Sequence, residues 1–245
     1  SARAEGSLKA LVTREQVEEL RAVVERVNPD GTVGITDDEI ALAEKYEREL
    51  RHDVMAHVHA LGDACPKARP IIHLGMTSQD VVCNADRLLL ESAIDLIRVR
   101  LVGTVDVLGR GAIQFSHTPT LAFTHYQPAQ PLTVGRRLAQ WAHDLILCHD
   151  RLDWHGDWES SMGAFRGFKG ATGTQAAFLS LFNNDGRRVD VFDNRPFAFM
   201  GMGQVRTFDL AGQTYPRVID TFILADLAST AAVLHKIATD IRLLS

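Results

Sequence analysis

The chain has 245 residues, 46% hydrophobic and 23% charged, enough apolar material for a sizeable core and ordinary for a globular protein. A net charge of −5 with no basic tract argues against nucleic acid or an anionic membrane as the main partner. No apolar run reads as long as a bilayer span, and Cys65, Cys83 and Cys148 form no Cys-x-x-Cys pair, so reduced thiols in a cytoplasmic protein are expected, without a disulfide or zinc framework.

Thr13-Arg14-Glu15-Gln16 reads as a capping box, and Val17, Leu20, Val24 and Val27 mark one face of a short helix that ends at Asn28-Pro29-Asp30-Gly31. Thr36-Asp37-Asp38-Glu39 is a second capping box. The stripe Ile40, Ala43, Leu50, Val54, Val58 and Leu61 predicts one helix running towards Gly62, with Arg51-His52-Asp53 inside it. His52 and His59 share a face, but the spacing is not His-x-x-x-His and no carboxylate joins them, so no metal site is predicted. Taken alone, His52-Asp53 could equally be a helix-surface pair.

Residues 62–76 read as irregular. Thr77-Ser78-Gln79-Asp80 then opens a long helix with Leu90, Ile94, Ile97, Leu101, Val105 and Leu108 as its stripe. Two adjacent hydroxyls at a helix start suit a carboxylate or phosphate, whereas capping alone accounts for one of them. Thr124-His125-Tyr126-Gln127-Pro128-Ala129-Gln130-Pro131 follows, and its two prolines predict a stiff, extended segment ahead of the next helix. A histidine held there could donate a proton to a leaving group, or could simply pair with a backbone carbonyl.

Leu138, Trp141, Leu145, Cys148 and Leu152 define the next long helix. The segment GAFRGFKGATGTQ, 163–175, lacks the Gly-Lys-Ser/Thr of a Walker loop. It could still hold an anion through closely approaching backbone N–H groups, or be a plain surface loop. Gln175 stands where a helix would begin. Residues 185–208 read as irregular, and Pro216 opens a last helix striped by Ile223, Leu227, Leu234, Ile237, Ile241 and Leu244.

Long helices with three-four apolar spacing and no convincing strand predict an all-α, long-helix bundle. The expected division is 1–75, an N-terminal helical region, and 76–245, a central bundle domain. Apolar residues outside a single stripe (Leu88, Leu89, Val99, Ile146, Leu147, Val218 and Phe222) point to helices covered on more than one side by other subunits.

The stretches 51–80, 121–141, 165–182 and 212–244 resemble the adenylosuccinate lyases of the fumarase/aspartase superfamily. The resemblance covers nearly everything after about residue 35. It implies β-elimination of fumarate from adenylosuccinate and from succinyl-aminoimidazole carboxamide ribotide, with no cofactor and no metal, in a cytoplasmic homotetramer with shared active sites. It also implies His125 as general acid and Arg51, His52, Asp53, Thr77, Ser78 and Gln175 as substrate-binding residues, with Thr124 and His73 as second choices. The family's general base, a serine in the pattern Ser-Ser-x-Met-Pro-x-Lys-x-Asn-Pro, is not among these residues, nor are its N-terminal Arg-Tyr motif and C-terminal helical domain. The chain is therefore expected to be the central part of a longer polypeptide, with impaired activity if it truly ends at Ser245. The alternatives are an inactive helical oligomerisation fragment, or another superfamily lyase such as argininosuccinate lyase.

Overall fold

The computed structural model describes residues 12–156, 162–199 and 205–244. They fall into two compact units, one made of the described residues within 1–85 and 165–215, the other of those within 86–164 and 216–245.

In the first unit, α1 (Arg14–Val24) and α2 (Asp37–Leu50) each start at a complete capping box, on Thr13 with Gln16 and on Thr36 with Glu39. Glu39 also receives the Arg26 guanidinium, which holds its carboxyl below the usual range against the opposing effect of burial. Then comes the first departure from expectation. The helix stops at Leu50, Arg51 takes a left-handed conformation (φ 52), and His52 starts α3 (Asp53–Ala64) as its N-cap. The apolar stripe crosses this break without a change of period, and no glycine or proline announces it, so the sequence reads as one helix.

The start of α4 (Ser78–Gln114) closes this part of the unit. The remainder includes the glycine-rich loop from 165 to 175, the short α6 (Ala176–Leu181) and α7 (Gly186–Phe199). Residues 186–199 are thus helical where irregular structure is expected; Pro196 inside the run and polar neighbours hide the period. Phe165 and Phe197 stack with ring centroids 4.6 Å apart, and Phe178 lies 5.1 Å from Phe192. Around Val23, Cys65 and Ala68 pack Leu20, Leu61, Ile71 and Ile72. Burial raises the Cys65 thiol above its ordinary pKa, and Glu19 adds to that; all three cysteines are buried and unbridged.

The second unit holds the rest of α4, a ribbon of β1 (Pro119–Thr124) and β2 (Gln127–Thr133), α5 (Val134–Gly156) and α8 (Val218–Leu244). The ribbon is the second departure, a strand pair where none is expected. The extended segment that Pro128 and Pro131 predict is here paired, because in a two-stranded ribbon an N–H-less residue can sit on an open edge. Gly135 anchors its base to α4. A Cβ there would sit 2.2 Å from Ala112 O, and the Gly135 N–H donates to Phe115 O at 2.9 Å.

Along α5 and α8, Trp141, Leu145, Leu152, Ile219 and Ile223 are buried. Asp226 of α8 accepts from Arg151 at 3.1 Å and pairs with buried His155 at 2.8 Å, and Trp141 Nε1 donates to Asp240 at 3.0 Å. By length and composition alone α8 is apolar enough to cross a membrane, which corrects the expectation that no such run is present. Two of its carboxylates, Asp226 and Asp240, are nonetheless engaged by α5, as in a bundle helix. The bundle's outer apolar residues remain bare: Leu89, Leu96 and Val99 on α4 and Leu224 on α8 are each 65–70% exposed.

Candidate active site

The break between α2 and α3 creates the first part of the site. Arg51 caps the end of α2 by donating its N–H to Glu47 O at 2.7 Å. His52 caps the start of α3: its Nδ1 accepts from Met55 N at 3.4 Å, while Asp53 lies beside it at 3.3 Å. With Nδ1 accepting, the neutral imidazole carries its proton on Nε2. That nitrogen faces Ser78 Oγ at 3.2 Å. The Ser78 oxygen is then occupied as an acceptor and its own hydrogen is left to donate outward, the polarity a carboxylate requires.

Thr77 and Ser78 stand at the start of α4, where the Thr77 N–H is held by Asp80 Oδ2 at 2.8 Å. Arg51, His52, Asp53, Thr77 and Ser78 line one open pocket of about 560 Å³ in the first unit. Gln213 joins them there. Gln213 is not among the residues the sequence singles out; its position beside Thr214 and Tyr215, in a polar run after glycine, is the available signal.

Gln175 is placed elsewhere. It sits in a left-handed conformation before α6 and its amide nitrogen donates to Phe168 O at 3.1 Å, so the side chain braces the glycine-rich loop. That loop does enclose an anion, and the anion belongs to the chain. Asp80 Oδ1 accepts from Lys169 N at 2.8 Å, Gly170 N at 3.0 Å and the Arg166 guanidinium. A second carboxylate, Asp193, receives Phe168 N at 2.6 Å, Thr207 Oγ1 at 3.1 Å and the Lys169 ammonium. Asn84 closes the loop by accepting from Gly167 N at 3.0 Å and donating to Gly167 O at 3.1 Å.

His73, also left-handed (φ 68), lines a different and largely apolar cavity of about 280 Å³ with Val54, Leu61 and Met76. Thr124 ends β1 opposite Gln127. His125 lies in the second unit, at the tip of the ribbon. His125 (φ 52) and Tyr126 (φ 58) form a two-residue connection with both φ values positive, as a type I′ turn demands. Such positions favour Asn-Gly, and each ordinary residue there costs about 1–2 kcal/mol. His125 is exposed and borders a pocket of about 590 Å³ with Arg137, Trp141, Lys236 and Asp240. Burial opposes ionisation of Asp240, but the bonds from Lys236 and Trp141 outweigh it and hold the carboxyl below its usual range.

A family described as Lyase matches residues 3–245. The chain belongs to this lyase family. Adenylosuccinate lyase of Saccharomyces cerevisiae is 43% identical over 235 residues, 96% of this chain and 46% of that protein. The adenylosuccinate lyase of Schizosaccharomyces pombe is 43% identical over 239 residues, 96% of this chain and 45% of its own length. The chain therefore spans about half the length of the curated relatives it matches. Among solved structures, a fumarate lyase from Mesorhizobium sp. BNC1 superposes with a TM-score of 0.75 at 21% identity, over 99% of this chain and 52% of that one. A 3-carboxy-cis,cis-muconate lactonizing enzyme from Pseudomonas putida gives 0.68 at 26% identity, over 98% and 49%. These likenesses agree with the all-α bundle, the short ribbon aside.

Proposed function

We propose that the polypeptide carrying this chain is an adenylosuccinate lyase. It eliminates fumarate from adenylosuccinate to give AMP, and from succinyl-aminoimidazole carboxamide ribotide to give the carboxamide, within purine biosynthesis. The observation that carries the reading is the pocket of Arg51, His52, Thr77, Ser78 and Gln213, in which His52 Nε2 lies 3.2 Å from Ser78 Oγ. The pocket is also lined by Glu47 and Asp53, and within it Arg51 and several neutral donors suit a succinyl carboxylate. The names of the two yeast relatives point the same way.

In the reaction a base removes a proton from the succinyl carbon and an aci-carboxylate forms. The carbon–nitrogen bond then breaks, its electron pair leaves on nitrogen, and His125 supplies the proton that nitrogen needs. Thr77 and Ser78 hold the carboxylate that gathers charge, Arg51 and Gln213 bind and orient, and His52 sets the Ser78 hydroxyl. Asp53, beside the His52 ring, completes the substrate-binding triplet; Gln175 acts on the site through the loop it braces.

The same reading takes the domain boundary as 75/76 and the protein as a cytoplasmic homotetramer. Neighbouring copies would then cover the bare apolar faces of α4, α5 and α8 and complete each active site. The test is fumarate release by the full polypeptide and its His125→Ala variant. Loss of a general acid should lower kcat on the order of 10²–10⁴-fold with KM little changed; turnover near that of the parent protein would remove His125 from the acid role.

A further inference from the structure

The ribbon that carries His125 is poorly supported by its own ladder. β2 has Pro128 and Pro131 among its seven residues, and neither brings an N–H. Pro128 stands opposite Phe123 and Pro131 opposite Leu121, and the register slips between Leu121 and Phe123. A lone two-stranded ribbon is marginal in water even when fully bonded. This one must also keep two side-chain-bearing residues left-handed at its tip. The bonds from Val134 N to Thr118 O and from Gly135 N to Phe115 O, both 2.9 Å, secure only its base.

At the slip itself there is one further support. Arg137, in the first turn of α5, donates Nη2 to Leu121 O at 2.6 Å. Arg137 as a residue is half-buried, its bond to Leu121 O lies at the exposed surface, and it borders the same pocket as His125. A charge-assisted bond to a carbonyl is roughly twice as strong as a neutral one, and α5 is a 23-residue helix that does not share the ribbon's weakness.

We infer that Arg137 is a positioning residue for His125: its guanidinium clamps the slipped ribbon to α5 and so fixes where the imidazole stands. The inference rests on the proposed role of His125 for its catalytic meaning, while the clamp is a property of the ribbon alone. Lysine can donate to the same oxygen from a point charge but lacks the planar fork, so it should serve partly.

The experiment compares the full polypeptide with its Arg137→Gln and Arg137→Lys variants, by amide hydrogen exchange over 119–133 and by fumarate-release kinetics. In Arg137→Gln, exchange in the ribbon should quicken about tenfold or more, with α1 to α3 unchanged. kcat should fall on the order of 10–100-fold and KM by little, as expected for a displaced acid. Arg137→Lys should lie between the two. Unchanged exchange in the ribbon overturns the clamp, and quickened exchange with parental kcat overturns the positioning role. Parental turnover in His125→Ala refutes the reading of His125 instead, and the exchange measurement still reports on Arg137.

Discussion

Replacing Asp80 by asparagine removes one charge and one acceptor from the most enclosed point of the first unit. Asp80 is 1% exposed and Arg166 is fully buried, so water cannot substitute for a lost partner. If the amide oxygen keeps the place of Oδ1, it still accepts from Arg166, Lys169 N and Gly170 N, but the new NH2 then faces the Thr77 N–H. Flipped, the NH2 faces three donors instead. Neither orientation satisfies the site, and in both the buried Arg166 charge is left with neutral acceptors alone, among them the carbonyls of Gly170 and Gly212. Removing one side of a buried ion pair costs about 3–5 kcal/mol, and the isosteric amide places Asp80→Asn near the lower end. That is a large fraction of the roughly 5–15 kcal/mol that holds a domain folded. With a urea slope of about 2–3 kcal/mol per molar, the midpoint followed by far-UV circular dichroism should fall by about 1–1.5 M. Arg166→Met added to Asp80→Asn should cost less than the two single changes summed, because the stranded charge leaves as well. A midpoint for Asp80→Asn within about 0.2 M of the parent would refute the reasoning, since a shift that small falls well below the cost of an uncompensated buried cation.

Gly173→Ala should destabilise the first unit by more than about 1 kcal/mol in thermal melts, because φ is +82 and the added Cβ would lie 1.7 Å from Ala211 O; an unchanged melting temperature would contradict that approach. For Glu91, buried on α4, burial raises the carboxyl pKa above its ordinary value, Asp95 adds to this, and Arg87 and Arg98 oppose it. A folded-state pKa above the unfolded one makes stability greatest below the ordinary glutamate value and lowers it as pH rises through the raised value. Glu91→Gln should flatten that decline in melts taken from about pH 4 to 7, and an identical slope in both proteins would exclude Glu91 as its source.

The helices were legible wherever their signals were local. Thr13 with Gln16 and Thr36 with Glu39 form the capping boxes their spacing announces, and α4, α5 and α8 follow their three-four stripes. What escaped was set by contacts distant in sequence. Arg51 ends α2 in a conformation its residue type disfavours, and His52 engages Ser78, 26 residues further on. The prolines give an extended segment, as the ribbon is, but the pairing of 119–124 with 127–133 has no local signal, since the His125-Tyr126 turn lacks the usual Asn-Gly. For the glycine-rich loop the residues leave two readings open, an anion cradle or a plain surface loop, and the loop encloses a carboxylate. Its tenant was not foreseen, because nothing local ties Arg166 to Asp80 across 86 residues. Gln175 and Gln213 both follow a glycine in a polar run, and only the fold separates the brace from the pocket wall.

The turn at the ribbon tip has a consequence for how this sequence can drift. Glycine or asparagine at position 125 or 126 would relieve a left-handed backbone strained by ordinary side chains. Substitution there in search of thermal resistance therefore runs downhill, away from histidine and tyrosine. Screens that reward heat tolerance alone should enrich such changes early, and would shed the imidazole as a by-product. A library ranked by melting temperature needs a second, chemical filter at these two positions.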